Sequence, residues 1–130
     1  MKYTTAIFDL DGTLLNTLGD LTDAVNAAIE PRGLPPVTET QVRDRVGNGI
    51  RKLIERTLPT GTADADIDAC LEVFRAYYND HLMHRTHPYD GIVDALTALK
   101  DAGMRIAVLS NNMTRPPRRL FATFSLGWSI

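Results

Sequence analysis

Ala6-Ile7-Phe8-Asp9-Leu10-Asp11-Gly12-Thr13 decides how this chain is read. Three apolar residues, short enough for a buried strand, run into two carboxylates and a glycine. Carboxylates at i and i+2 on a strand end project to one side, because strand side chains alternate. Gly12 lets the backbone turn sharply without a Cβ clash. In such an arrangement one carboxylate attacks while its neighbour handles a proton, and both help hold a hard cation. Asp9 and Asp11 are therefore the candidate catalytic and metal-ligating residues. The bland alternative is a strand followed by an Asx-type turn. The apolar strand in front of the acids is the context that a phosphoaspartate site needs.

Working outward, the spacing predicts alternating elements. A first strand is expected over about Tyr3 to Leu10. Leu18, Leu21, Val25, Ala28 and Ile29 then recur at helical spacing, and Pro31 and Gly33 stop that helix. Thr38 with Gln41 reads as a capping box for a short helix with Val42 and Val46 on its apolar face. That helix ends at Gly47-Asn48-Gly49, and Ile50, Leu53 and Ile54 begin the next. A longer helix is expected from about Asp64 to Leu82, with Ile67, Leu71, Phe74 and Tyr78 on one face. Thr86 to Gly91 is non-helical. Val93, Leu96 and Leu99 make a further helix, with Gly103 as its C-cap. Arg105 to Leu109 is a second apolar strand, ending at Ser110-Asn111. One strand, a block of helices, then helix and strand imply an α/β fold with a parallel sheet and an inserted helical domain. The expected division is 1–15 with 86–130 as the α/β core and 16–85 as the helical insert. Ligands of open parallel sheets sit at the carboxyl ends of strands, so Asp9, Asp11, Ser110 and Asn111 form one coherent site.

Composition bounds the function classes. The 130 residues are the size of one ordinary domain. Fourteen Lys and Arg against sixteen Asp and Glu leave a net charge of −2, so no global basic field suggests a nucleic-acid partner. No apolar stretch approaches membrane-spanning length, and the N-terminus lacks a signal-type apolar core. The single cysteine, Cys70, reads as a buried inert thiol. A cytoplasmic location fits these features, and oligomeric state is left open. His81, His84 and His87 invite a metal reading, but no acid or cysteine completes a zinc set beside them. Arg43, Arg45, Arg51 and Lys52 flank the Gly47-Asn48-Gly49 turn and could meet a substrate carboxylate; solvated surface charge is the simpler reading for most of them.

Phe8-Asp9-Leu10-Asp11-Gly12-Thr13-Leu14, Val46-Gly47-Asn48-Gly49, Pro88-Tyr89-Asp90-Gly91 and Leu109-Ser110-Asn111, in this order, resemble the haloacid dehalogenase superfamily of phosphatases, within it the phosphoglycolate phosphatase type. The resemblance implies an incomplete Rossmann-like parallel sheet with an inserted helical cap domain. It implies that Asp9 is the nucleophile, forming an aspartyl phosphate, and that Asp11 protonates the leaving alcohol and then activates water. It places phosphoryl oxygens on Leu10, Asp11, Gly12, Thr13, Ser110 and Asn111, and Mg²⁺ on the Asp9 carboxylate and the Asp11 carbonyl. Gly47, Asn48 and Gly49 become a substrate loop of the cap, and a small phosphorylated metabolite becomes the partner.

The family pattern also calls for a lysine and an acidic pair beyond Ser110. No acid or lysine follows Asn112 in this sequence, and Arg115-Pro116-Pro117-Arg118-Arg119 changes its character. The expectation is therefore a chain truncated or shifted in reading frame after Asn112 and inactive as it stands. The favoured function is a Mg²⁺-dependent phosphatase of small phosphomonoesters, with 2-phosphoglycolate as an example. A sugar phosphomutase on the same scaffold and a non-catalytic fragment stay open as alternatives.

Overall fold

The computed structural model describes residues 2–81 and 84–109. The described chain runs β1 (Thr5–Asp9), β2 (Leu15–Asn16), α1 (Leu18–Ile29), a 3-10 turn (Glu30–Arg32), α2 (Glu39–Arg45), α3 (Ile50–Thr57), α4 (Asp64–Asp80), β3 (His87–Pro88), α5 (Ile92–Asp101) and β4 (Arg105–Leu109). It divides into two compact units: one holds the chain up to Thr17 and again from His87, the other is Leu18–Thr86.

In the α/β unit, β1 and β4 pair in parallel, with Thr5 opposite Arg105 and Asp9 opposite Leu109. This is the parallel sheet the sequence implies. Strand alternation leaves Ala6, Phe8, Ile106 and Val108 half-buried, whereas Ile7 and Leu109 are 68% and 72% exposed. Expectation and structure differ here: β1 starts at Thr5 and ends at Asp9, and one of its faces is open rather than buried among the described residues. α5 ends as its glycine predicts. Gly103, at φ +83°, donates its N–H to the Lys100 carbonyl at 2.9 Å while the Met104 N–H donates to the Leu99 carbonyl at 3.0 Å, a nested pair that closes a helix around a left-handed residue. A two-residue antiparallel ladder, Leu15–Asn16 against Pro88–His87, lies where the sequence predicts only irregular chain, because a pairing that short carries no periodicity.

The helical unit holds the larger core. Val25, Val42, Leu53, Ile54 and Phe74 are all essentially fully buried, and the Phe74 and Tyr78 rings stack at 5.3 Å. Full burial of such side chains contributes about 1.5–3 kcal/mol each. The capping box forms: the Gln41 N–H donates to Thr38 Oγ1 at 3.2 Å and the Thr38 N–H to Gln41 Oε1 at 2.9 Å. Val46, expected on the apolar face of α2, is 51% exposed, because the chain has already turned extended there (φ −65°, ψ 144°). Cys70 is buried. No helix among the described residues is long and apolar enough to cross a membrane.

Candidate active site

The first motif is a tight turn hung from the end of β1. The Leu10 carbonyl accepts the N–H groups of Thr13, Leu14 and Leu15 at 3.3, 3.0 and 3.0 Å, and the Gly12 N–H donates to Leu15 O at 2.9 Å. Gly12 sits at φ +77° with nothing within 4 Å of a Cβ, so the position calls for glycine by conformation and not by space. Apolar side chains anchor the turn from inside: Leu10, Leu14 and Leu15 are 0%, 1% and 3% exposed. The Tyr89 N–H ties the same segment to the returning chain through Leu14 O at 3.2 Å.

Asp9, Gly12 and Thr13 are exposed and Asp11 is half-buried. Buried leucines alternating with polar residues thus bring Asp9, Leu10, Asp11, Gly12 and Thr13 into one turn at the carboxyl end of a parallel strand. The Thr13 hydroxyl lies 3.5 Å from Asp9 Oδ2, the outer limit of a hydrogen bond. The strand ends at Asp9, so alternation does not extend to Asp11; the placement of Asp11 is set by the turn, where it bridges to Leu15. Asp11 Oδ1 is buried. Among the described residues no cluster of three or more His, Cys, Asp or Glu is placed to hold a metal. Ser110 and Asn111 lie outside the described residues.

Gly47-Asn48-Gly49 belongs to the helical unit, between α2 and α3. All three residues take positive φ, 131°, 64° and 90°, and Arg56 braces them, donating to Arg45 O, Gly47 O and Asn48 Oδ1 at 2.9, 3.0 and 3.0 Å. Neighbouring charges are mostly paired. Arg51 lies 3.1 Å from Asp64 and 3.3 Å from Asp68, and the Asp64 bond raises its pKa further. Lys52 bonds Glu55 at 2.8 Å and holds that carboxyl below the usual range. Arg43 lies 3.9 Å from Asp44. Arg45 differs: its Nη1 is buried with no hydrogen-bond partner among the described residues. His81 stacks on Tyr77, ring centroids 3.9 Å apart, with Nδ1 2.8 Å from the Tyr77 carbonyl oxygen.

Sequence reasoning gave Asp20 no role and read Arg85 and Thr86 only as part of a junction near residues 85–87. Asp20 is 3% exposed and accepts from the Arg85 N–H at 2.7 Å, the Thr86 N–H at 2.9 Å and the Thr86 hydroxyl at 2.5 Å. The available signal was an acid in the first turn of a helix beside Gly19, a residue that a helix otherwise avoids.

The pattern of the haloacid dehalogenase-like hydrolases matches residues 6–126. The phosphoglycolate phosphatase of Agrobacterium fabrum is 41% identical over 109 residues, 82% of this chain and 47% of that protein. The N-acetylmuramic acid 6-phosphate phosphatase of Pseudomonas aeruginosa is 33% identical over 115 residues, 88% of this chain and 51% of that one. A crystal structure described as a predicted phosphoglycolate phosphatase from Haemophilus somnus superposes with a TM-score of 0.83 at 27% identity, over 97% of this chain and 59% of that one. The chain spans about half the length of the curated relatives it matches.

Proposed function

The chain belongs to the haloacid dehalogenase-like hydrolase family, and from that premise we propose that it carries the nucleophile end of a Mg²⁺-assisted phosphatase acting on small phosphomonoesters. The observation that supports this reading is the Leu10-anchored turn, which leaves the Asp9 carboxylate exposed at the end of a parallel strand. An Asp9 oxygen attacks phosphorus and the ester P–O bond breaks. The departing alkoxide takes a proton from Asp11, and the phosphoryl group stays on Asp9 as an acyl phosphate. Water then attacks that phosphorus, gives a proton to Asp11, and frees phosphate and Asp9. A half-buried acid beside an exposed one suits this split of roles. The N–H groups of Gly12 and Thr13 are donated within the turn itself, so the main chain at Leu10 and Asp11, with Ser110 and Asn111, would carry the phosphoryl oxygens.

Asp9 and Asp11 offer oxygen donors alone, which fits Mg²⁺, an ion usually held by one or two carboxylates plus waters and phosphate oxygens. The Asp9 carboxylate and the Asp11 carbonyl would hold it, and when bound it offsets negative charge between nucleophile and phosphate.

For substrate class, both named relatives act, by their names, on phosphate esters of organic acids. Of the four cations flanking the Gly47-Asn48-Gly49 turn, Arg45 is the one with a buried, unpartnered guanidinium nitrogen among the described residues. We assign it to a substrate carboxylate, with 2-phosphoglycolate as the representative compound, and assign the helical unit the role of substrate-selecting cap.

The test is to incubate the chain with 2-phosphoglycolate and Mg²⁺, quench in acid, and locate phosphate by mass spectrometry. Hydroxylamine-labile phosphate on Asp9, absent in Asp9→Asn, supports the reading. A panel of phosphomonoesters that leaves Asp9 unlabelled overturns it. The measurement reads a single phosphoryl transfer and holds at any turnover rate.

A further inference from the structure

The helical unit is fastened shut at its base by residues from its two ends. The chain enters at Leu18 and leaves at Thr86, and the Asp20 carboxylate, in the first turn of α1, takes three hydrogen bonds from residues 65 and 66 positions away. A buried carboxylate costs several kcal/mol unless its lone pairs are satisfied, and charge-assisted bonds to backbone N–H groups are among the strong ones. The positive end of the α1 dipole adds to its stabilisation.

A second layer lies outside the first. The Arg85 guanidinium crosses Gly19, where a Cβ would meet Arg85 Nε at 3.0 Å and Arg85 Cβ at 3.1 Å. It donates to Gly19 O at 2.9 Å, pairs with Asp23 at 3.0 Å and reaches Glu39, at the start of α2, at 3.1 Å. Arg85 is exposed, so this outer layer is screened by salt, whereas the inner bonds to Asp20 are not.

We propose that Asp20 is the latch of the helical unit: it binds the outgoing chain at Arg85 and Thr86 to the first turn of α1, so that the unit opens from its base to its core as one body. Chain ends normally fray at almost no free-energy cost; here the last two residues of the unit, outside any helix or strand, share the protection of α1. The proposal is independent of the catalytic reading.

Amide hydrogen exchange tests it directly. In the unsubstituted chain, the Arg85 and Thr86 amides are expected to exchange as slowly as those of Val25 and Ala28. Asp20→Asn, which sets an amide NH₂ against an N–H donor, is expected to speed both by roughly 100-fold, and Thr86→Val by about tenfold. Added salt leaves both amides slow. Fast exchange at Arg85 and Thr86 in the unsubstituted chain, beside a protected α1, overturns the proposal, as does unchanged protection in Asp20→Asn. Should Asp20→Asn lose its helical circular dichroism, the unsubstituted chain and Thr86→Val decide the matter alone.

Discussion

The two units spend their residues differently. The helical unit encloses Val25, Val42, Leu53, Ile54 and Phe74 in a common core and rims it with ion pairs such as Arg32–Asp66 at 2.8 Å and Arg51–Asp64 at 3.1 Å. The α/β unit shows two two-stranded sheets among the described residues, and in the β1–β4 sheet Ile7 and Leu109 lie open on the face that also carries Asp9. The proposed chemistry thus falls on the thinly covered part of the chain and the packing energy on the thickly covered part. A substitution that ruins one is expected to leave the other largely intact.

The sharpest way to test that separation is Asp9→Asn. We expect phosphoryl transfer to fall by about three orders of magnitude or more, measured by phosphate release or acyl-phosphate trapping, with the thermal transition unmoved because Asp9 is exposed. Phe74→Ala is its counterpart. Phe74 is 1% exposed and stacked on Tyr78, so truncation is expected to cost about 3–5 kcal/mol, read as loss of helical circular dichroism, while a peptide covering β1 keeps its exchange behaviour. If both regions collapse together, the units are energetically one and the comparison fails.

Intermediate in size is the proposed substrate anchor. Arg45→Ala is expected to raise about tenfold the 2-phosphoglycolate concentration that half-labels Asp9 in the trapping experiment, and to leave labelling by a phosphomonoester without a carboxylate unaffected. Ile7→Thr is expected to change stability by no more than about 0.5 kcal/mol and to lower concentration-dependent light scattering, because an open apolar strand face favours association. Smallest is the acid branch of the melting curve. Lys52 holds the Glu55 carboxyl below its ordinary value, first by hydrogen bonding and then by its charge. A carboxyl lowered in the folded state adds stability that is present above the unfolded pKa and is lost as pH falls through the folded pKa. Lys52→Gln is expected to flatten that loss slightly, an effect confined to acid pH.

Much of this division is legible along the chain. The strand at β4, the capping box at Thr38 and Gln41, the closing glycine of α5 and the turn at Gly12 each obey a local rule, and each stands where its residues place it. What escaped depends on distance. The β2–β3 ladder joins residues about seventy positions apart, and Asp20 finds its partners 65 and 66 positions away. Neither leaves a periodic trace, since a pairing across the chain is written in two places at once. The placement of Asp11 escaped for another reason: strand alternation is a sound rule that stops where the strand does, at Asp9. The family resemblance carried by Phe8 to Leu14 stands beside these as a longer pattern, and the match over residues 6–126 bears it out.

Cys70 gives the helical unit its own chemical clock. It is the chain's single cysteine, and at 2% exposure on α4 its sulfur is shielded from alkylating reagents while the fold is intact. Thiolate chemistry needs access, so the rate at which iodoacetamide consumes this one sulfur counts the moments when α4 parts from its neighbours. The chain therefore reports its own breathing without any added label.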